Sequence, residues 1–383
     1  MTVFDRVEEW TFNIALPFWR DHGLDRENGG FIEQLTFSGE NAGVGFKRTR
    51  VTARQIYLFS HAATLGWNGA TEPITHGLEF LLGRQFISDE KGFARLTDRY
   101  GAVIDDTTDL YDHAFVLFSL SWAYRATGDR QISEWMHRTL DIIETRLSHP
   151  SGEGFWHDDT KVGWRQQNPH MHLLEASLAA IETTNEERFK KLAEHIGRLF
   201  QDRLFQQRDG VLPEFFTDDW TPANDPEAAY TEPGHHFEWA WILTNLKRLT
   251  GLALAEEARA LVAFAEKFGV DRHTMATFNR IAFDGATIDG GSRTWPNTER
   301  IKAAVAMFEL DGKDPMPVFE ESAGLLLDQY LATDTPGVWV DAFDASGKPQ
   351  AETVPTSTLY HVFLAFIEML RTQPALNKKS SSD

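Results

Sequence analysis

Cysteine is absent from the 383-residue sequence, which excludes disulfide bridges, thiolate metal ligands and cysteine nucleophiles. An excess of positive charge is missing too, because 37 Lys and Arg face 57 Asp and Glu, for a formal net charge of -20. A protein that binds nucleic acid needs a dense basic surface to neutralise phosphates. We therefore expect no nucleic-acid partner, and the charge favours a neutral or small polar ligand.

The N-terminal segment lacks the features of a signal peptide or membrane anchor. Its first ten residues, MTVFDRVEEW, carry acidic side chains and no uninterrupted apolar run, whereas both kinds of segment need such a run. We therefore expect a cytoplasmic protein with no membrane partner. There is also no Gly-x-Gly-x-x-Gly opening a helix, no Walker loop and no His-Glu-x-x-His zinc helix, which disfavours nucleotide chemistry and zinc hydrolysis.

Hydrophobic residues make up 42% of the chain, enough for a large core. Apolar residues at helical spacing predict twelve helices, which form six pairs. Their predicted ranges are 4–20, 47–66, 72–86, 108–127, 131–148, 167–184, 186–206, 233–251, 253–268, 295–312, 315–333 and 356–373. No linker rich in Pro, Gly or Ser divides them, so we predict one domain over 1–375 and a flexible tail over 376–383.

A Gly followed by an apolar residue recurs in the longer connections between helices. The pairs are Gly30-Phe31, Gly92-Phe93, Gly154-Phe155, Gly210-Val211 and Gly337-Val338. Such runs are typical of short strands in hairpins. The first three pairs lie 92 − 30 = 62 and 154 − 92 = 62 residues apart, which indicates an internal repeat.

The second helix of each pair carries a polar residue near its start, and these residues follow the same repeat. They are Arg54, Tyr111, His172, His235, Glu299 and His361, separated by 57, 61, 63, 64 and 62 residues on subtraction. A closed ring of hairpins with the second helices inside would gather them at one mouth, the kind of concave place where ligands bind. The predicted fold is all-α, an (α/α)6 barrel of six helical hairpins with short β-hairpins in the connecting loops.

The histidines are candidates for acid–base chemistry, and each has a structural alternative. His235 and Glu238 share one face of a helix predicted to begin at His235, and a carboxylate beside an imidazole raises its basicity. Alternatively, Glu238 complements the helix dipole and His235 only packs. His170 and His172 point in different directions, and the apolar phase does not decide which faces the pocket. His361 lies in the first turns of the last helix.

Arg54 lies in an otherwise apolar helix, where a guanidinium can stabilise a developing oxyanion. The alternative is an ion pair, a role for which Arg48 and Arg50 are better candidates. Trp295 precedes Glu299 at the start of the tenth helix. An aromatic face suits the apolar face of a sugar ring and a carboxylate suits its hydroxyls, although most of the 12 tryptophans must belong to the core.

Six short sequence motifs lie at or near the starts of the predicted inner helices. They are Arg54-Gln55, Asp109-Leu110-Tyr111-Asp112, Asn168-x-x-Met171-His172-x-x-Glu175-Ala176, Pro233-Gly234-His235-x-x-Glu238-Trp239, Trp295-Pro296-x-x-Glu299 and Tyr360-His361. Together they resemble the N-acylglucosamine 2-epimerase superfamily over nearly the whole chain, and the Leu-Tyr-His ending at 359–361 is most similar to its mannose isomerase branch. The resemblance implies an (α/α)6 barrel and proton transfer on an aldose or ketose without a metal or another cofactor.

The same resemblance implies roles for individual residues. His235, His361, Arg54 and Glu238 would be catalytic, while the residues that bind the sugar would be Tyr111, Asn168, His172, Trp295 and Glu299. His236 departs from the family pattern, and we expect it to be structural. The predicted reaction is isomerisation of a free monosaccharide of the D-mannose/D-fructose type through a cis-enediol. In this hypothesis His361 takes the C2 proton, His235 aids ring opening and Arg54 stabilises the enediolate.

Three other functions stay open. A 2-epimerase acting on mannose or glucose, an N-acylated amino sugar or a disaccharide such as cellobiose would share these motifs. A glycoside hydrolase needs two carboxylates, for which Asp105, Asp106, Glu214 and Glu238 are available. A non-catalytic binding protein would leave the periodic polar residues unexplained. The scarcity of cationic site candidates beyond Arg54 favours a free sugar over a phosphorylated one. The sequence leaves a homodimer open.

Overall fold

The structure is a computed structural model that describes residues 1–380. Within these residues twelve helices form two concentric rings, as the sequence predicts. The helices are α1 (3–22), α2 (Thr49–Thr64), α3 (71–85), α4 (Leu110–Thr127), α5 (130–147), α6 (Gln167–Thr184), α7 (187–204), α8 (Pro233–Thr250), α9 (Ala255–Phe268), α10 (Thr294–Asp311), α11 (316–330) and α12 (Leu359–Ser380). Wider π turns occur in α1, α3, α5, α7 and α11. Most predicted helix ends are correct to within one or two residues.

The last helix differs most from its prediction. It begins after a 3-10 turn at Thr356–Thr358 and runs to Ser380, past its predicted end at 373. The predicted tail, 376–383, therefore overlaps the helix up to residue 380, because Leu376 still packs against the core. Residues 381–383 lie outside the described part of the chain. No described helix is long and apolar enough to cross a membrane.

The even-numbered helices, α2 to α12, form the inner ring and are buried on nearly every face. In α4, for example, eleven of the twelve residues from Leu110 to Ser121 are wholly or almost wholly buried, as expected of a helix that is apolar nearly all round. The outer helices bury a single stripe, such as Ile132, Met136 and Leu140 in α5. Each outer helix packs on an inner one, and α1 closes the ring against α12.

The inner helices turn sharply into the outer helices that follow them. Four of them end at a residue with left-handed backbone, namely Gly128 (φ 70), Asn185 (φ 56), Gly251 (φ 83) and Gly312 (φ 67). Only Gly, and to a lesser degree Asn, adopts this conformation at low cost, and it closes the last helical turn. All short turns therefore lie at one end of the barrel, and all long loops lie at the other.

The long loops contain short strands that tie neighbouring loops together. The strands are β1 (Gln34–Leu35), β2 (Phe46–Arg48), β3 (Phe86–Ser88), β4 (Gly92–Phe93), β5 (Leu96–Asp98), β6 (Val103–Asp105), β7 (Arg165–Gln166), β8 (Phe215–Phe216), β9 (Arg280–Ile281), β10 (Thr287–Asp289), β11 (Ser292–Arg293), β12 (Ala342–Phe343) and β13 (Val354–Pro355). Hairpins within one loop are formed by β3 with β4, β5 with β6 and β9 with β10. The predicted β-hairpins are thus present.

Most of the remaining pairing joins different loops, which the sequence analysis did not predict. Strand β2 pairs with β5, β7 with β8, β11 with β12, and β1 with β13. The two remaining pairs of adjacent loops are linked by single bridges, one between Asp109 and Asp158 and one between Thr231 and Ile281. The six loops therefore form a closed circle of antiparallel pairings, which we call the mouth belt.

Candidate active site

A cavity of about 420 Å³ opens inside the mouth belt, within the size range of small-molecule sites. Eight of the nine predicted site residues line it, namely Arg54, Tyr111, Asn168, His172, His235, Glu238, Trp295 and His361. The ninth, Glu299, lies behind His361 and is fully buried. The cavity is also lined by residues that were not predicted from the sequence, namely Gln34, Arg48, Glu232, Arg293, Asp341, Pro355, Ser357 and Thr358.

The position of a side chain relative to the start of its inner helix determines whether it reaches the cavity region. We count positions from the residue immediately before the first helical turn, which is taken as zero, so that Arg54 is at position six (54 − 48 = 6). The side chain at position six points inward. The residues at this position are Arg54, Phe115, His172, Glu238, Glu299 and His361. The repeat predicted from the sequence contained Tyr111 and His235 in place of Phe115 and Glu238. It therefore combined residues that occupy different positions relative to the starts of their helices.

Histidines at position four have a structural role. His113, His170 and His236 accept the backbone N–H groups of Phe93, Phe155 and Leu212 through Nε2, at 3.0, 2.9 and 3.2 Å. Each pins a loop to its inner helix, and Nδ1 of each contacts a backbone carbonyl of the preceding turn. This arrangement confirms the structural prediction for His236 and answers the open question about His170 and His172, because only His172 lines the cavity.

Each of the three cavity histidines contacts a buried carboxylate through Nδ1. The pairs are His235 with Glu214 (2.9 Å), His361 with Glu299 (2.8 Å) and His172 with Glu175 (3.0 Å). We assign the Nδ1 proton from these contacts, because a carboxylate accepts and an imidazole N–H donates. The pairing fixes each ring and leaves Nε2, on its opposite side, for chemistry.

His235 pairs with Glu214 and not, as predicted, with Glu238. Glu214 precedes β8, and its carboxylate also accepts from the Gln167 side chain (2.8 Å) and the Glu232 backbone N–H (3.0 Å). Both carboxylate oxygens of Glu238 are buried without a hydrogen bond from the described residues. Helical spacing indicates which residues share a face, but it does not reveal that the long loop leading into the same helix brings a carboxylate closer.

The environment holds two of the histidines in opposite protonation states. Burial alone would lower the pKa of His235, but the adjacent Glu214 carboxylate outweighs it and raises the pKa to about 9. Burial, together with the positive charges of Arg54 and Lys302, holds the pKa of His361 well below its ordinary value. At neutral pH the imidazole of His235 is therefore protonated and that of His361 is neutral.

Arg54 is a buried cation with no carboxylate in ion-pair contact among the described residues. Its guanidinium donates to the Tyr111 hydroxyl (2.6 Å) and the Ser357 carbonyl (3.2 Å), and the residue is 5% exposed. Arg48 and Arg50 do pair with buried carboxylates, as predicted. Arg54 therefore keeps its charge available for an anion that forms in the cavity.

Trp295 forms a wall of the cavity between two of the histidines. Its ring centre lies 4.9 Å from that of His235 and 5.6 Å from that of His361. Gly234 lets this wall approach, because a Cβ there would lie 2.6 Å from the indole. The apolar face of a sugar ring packs well on such an aromatic surface.

A cluster of charges lies below the cavity, centred on Lys302. This lysine is fully buried, and its Nζ lies 2.6 Å from Glu299 and 3.5 Å from Glu238. Ligand-type atoms of Glu238, Glu299 and His361 also lie within 4.8 Å of one another, as do those of a second group of His172, Glu175 and Glu238. Because the lysine ammonium contacts two of the carboxylates, we interpret this arrangement as an ion-pair cluster and not as a metal centre.

Comparison with known proteins agrees with the motifs. The model of the N-acylglucosamine 2-epimerase (GlcNAc 2-epimerase) family matches residues 30–365. A mannose-6-phosphate isomerase from Rhizobium meliloti (strain 1021) is 33% identical and aligns over 94% of this chain and 95% of its own. A D-mannose isomerase from Thermobifida fusca is 28% identical, over 80% and 81%.

Among solved structures, a cellobiose 2-epimerase from Bacillus thermoamylovorans B4167 superposes with a TM-score of 0.87 at 19% identity, covering 96% of this chain and 98% of its own. This likeness confirms the predicted (α/α)6 barrel. The family match extends over most of the sequence and includes all the predicted site residues. The chain therefore belongs to the N-acylglucosamine 2-epimerase family.

Proposed function

We propose that this protein is a sugar isomerase that interconverts a free aldose and ketose of the D-mannose/D-fructose type by proton transfer through a cis-enediol. One observation carries the proposal: His235 and His361 border one cavity with pKa values shifted in opposite directions. An acid and a base that line the same cavity at neutral pH are what this reaction requires. The names of the mannose-6-phosphate and D-mannose isomerase relatives support the same reaction.

The proposed sequence begins with ring opening, in which protonated His235 donates to the ring oxygen as the bond from that oxygen to C1 breaks. His235, now neutral, takes the proton of the C1 hydroxyl, which becomes the carbonyl, and is thereby protonated again. Neutral His361 then removes the C2 proton through Nε2. The electrons move into the C1 carbonyl, and the resulting enediolate oxygen is stabilised by the Arg54 guanidinium. His235 then donates a proton to the C1 oxygen and, once neutral, removes the proton of the C2 hydroxyl. His361 returns its proton to C1 on the same face, which gives the ketose.

Binding of the open sugar would rest on groups whose polar atoms accept no hydrogen bond within the described residues, although Glu238 Oε1 also lies 3.5 Å from the Lys302 ammonium. Both Glu238 oxygens and the Asn168 Oδ1 are buried without a hydrogen bond, and buried polar atoms in this state are costly unless a ligand satisfies them. Tyr111 and His172 border the same space. We assign sugar hydroxyls to these groups and the apolar face of the sugar to Trp295.

The charges around the cavity favour a free sugar over a phosphorylated one. Arg48 and Arg293 do line the cavity, but Arg48 pairs with Glu33, and Arg293 pairs with Glu232 at 2.9 Å. A phosphate would have to compete with both carboxylates for these arginines. Arg54 remains as an unpaired cation, and the proposed mechanism uses it for the enediolate.

A 2-epimerase is the second candidate, because epimerisation needs a base on each face of C2 and His172 offers a second neutral imidazole, with its pKa lowered by burial to about 3. A cellobiose 2-epimerase from Bacteroides fragilis is 23% identical.

A glycoside hydrolase gains no support, since Asp105 and Asp106 do not line the cavity and Glu214 is hydrogen-bonded to His235. A cytoplasmic location and a homodimer stay predictions.

The test is incubation in deuterated water with mannose, fructose, glucose, N-acetylglucosamine, cellobiose and mannose 6-phosphate, followed by proton NMR. Conversion between mannose and fructose with deuterium at the transferred position supports the isomerase. Inversion at C2 instead identifies an epimerase, and release of a monosaccharide from cellobiose identifies a hydrolase. His361→Ala should abolish solvent exchange at C2, whereas His137→Ala, a control on the outer helix α5, should retain it. Exchange that survives His361→Ala would refute the assigned base.

A further inference from the structure

Lys302 is a fully buried charge that the proposed mechanism does not use. It lies on α10 one turn after Glu299, deep between the inner helices, and its Nζ also lies 4.5 Å over the Trp241 ring. Burying an ammonium is expensive unless nearby carboxylates compensate for its lost hydration. A methionine or leucine would fill the same space without that cost, so the charge calls for an explanation other than packing.

The contacts of Lys302 connect it to the predicted base through one intermediate residue. Its Nζ contacts one carboxylate oxygen of Glu299, Oε2, at 2.6 Å. The other oxygen, Oε1, contacts Nδ1 of His361 at 2.8 Å. The ammonium, the carboxylate and the imidazole are therefore arranged in series, and the imidazole is the member that reaches the cavity.

Other charged or titratable groups also face this series. They are Glu238 and His235 on α8, Glu175 and His172 on α6, Tyr360 on α12 and Arg54 on α2. Three carboxylates thus share one ammonium in the interior. Burial and the charge of Glu238 raise the pKa of Glu299 well above its ordinary value, and Lys302 opposes this rise. The same carboxylates raise the pKa of Lys302, so the ammonium keeps its proton.

We propose that Lys302 is a positioning residue that selects the tautomer of His361 by keeping Glu299 ionised. As a carboxylate, Glu299 accepts the Nδ1 proton of His361 and leaves a lone pair on Nε2, which faces the sugar. As a neutral acid, Glu299 would donate to Nδ1, and the imidazole proton would then occupy Nε2. The base would be blocked although every side chain kept its place. This inference rests on the proposed role of His361.

The test is the pH dependence of kcat in Lys302→Met, which keeps the length of the side chain but removes the charge. Glu299 must be deprotonated for activity, so activity is lost as the pH falls through its pKa. Without the ammonium this pKa rises, and the acid limb should move upward by about one to three pH units. Lys302→Arg should retain the wild-type limb. Lys47→Met, which removes a buried lysine that pairs with Asp25 at 2.8 Å outside the cavity lining, is the matched control and should not move the limb.

A second comparison keeps the proposal testable if Lys302→Met fails to fold. The side chain introduced by Glu299→Gln cannot ionise, so adding Lys302→Met to this variant should leave its pH profile of kcat unchanged. The double variant also leaves no buried charge without a partner from this pair, because both members are removed together. An unchanged acid limb in folded Lys302→Met, or additive effects in the double variant, would overturn the role of Lys302. If the wild type exchanges no C2 proton, the proposed function itself fails, and the two failures are thereby distinguished.

Discussion

Replacing Glu214 by Gln tests whether this carboxylate keeps His235, the proposed acid, protonated. The amide has the shape of the carboxylate, and its oxygen can still accept the Nδ1–H of His235, so the ring should keep its orientation while the negative charge disappears. The Glu232 backbone N–H loses its acceptor in this variant, because the amide nitrogen then faces it. Burial then acts on His235 without its main counterweight. We expect its pKa to fall from about 9 to 6.5 or below, a loss of roughly 3 kcal/mol of preference for the protonated imidazole.

The kinetic consequence depends on pH. If His235 must be protonated, kcat of the wild type declines only above about pH 9, whereas that of Glu214→Gln should decline above about 6.5. At pH 8 the protonated fraction then falls from about nine-tenths to a few hundredths, a loss of roughly 30-fold, while at pH 6 the two proteins should differ by less than about twofold. The assay is kcat for mannose–fructose conversion across this range.

Two controls separate charge from damage to the fold. Asp25→Asn removes another buried carboxylate, one that pairs with Lys47, and should leave the basic limb in place. NMR titration of the His235 ring protons reports its pKa directly. A basic limb that stays near pH 9 in Glu214→Gln would refute the claim that Glu214 sets the protonation state of this histidine.

Three further predictions follow from the same structure. In thermal denaturation, the His235–Glu214 pair should stabilise the wild type fully below pH 6.5, and this contribution should be lost as the pH rises through about 9. The reason is that a pKa raised by folding favours the folded state only while the group is protonated. In Glu214→Gln this dependence of stability on pH should be absent. Arg54→Met should lower kcat by about 10²–10³-fold, with a smaller loss in Arg54→Lys, and equal losses would argue against a need for positive charge. His236→Ala leaves the Leu212 N–H without its acceptor, so urea denaturation should report a free energy of unfolding lower by about 1–3 kcal/mol; a loss of kcat as large as that of His361→Ala would contradict its structural role.

The sequence predicted the barrel well because its evidence was local and repeated. Inner helices such as α4 are apolar all round, outer helices such as α5 carry one stripe, and a left-handed Gly or Asn ends four of the inner helices. The lengths of the long loops were predictable too. Their pairing partners were not, because strands of two or three residues carry no signal for which neighbour they join.

The site was predictable where one helix supplies the side chain, as for Arg54, His172 and His361. It was not predictable where chemistry depends on contact between elements. Glu214 reaches His235 from a loop 21 residues away, and Lys302 resembles an ordinary helical lysine in the sequence. Counting from the start of each inner helix would have distinguished structural His170 from His172, and it would have placed Glu238 and Phe115 in the inward series.

The mouth belt bears on how this scaffold can change its specificity. Every loop around the cavity shares backbone hydrogen bonds with the loops on both sides, so a sugar meets a rim that is already ordered and binding pays little additional conformational entropy. A loop grafted from a relative would have to match the register of two neighbours at once. Exchange of adjacent loops as a unit, or of single side chains within a loop, should therefore be the productive route for engineering new substrates into this barrel.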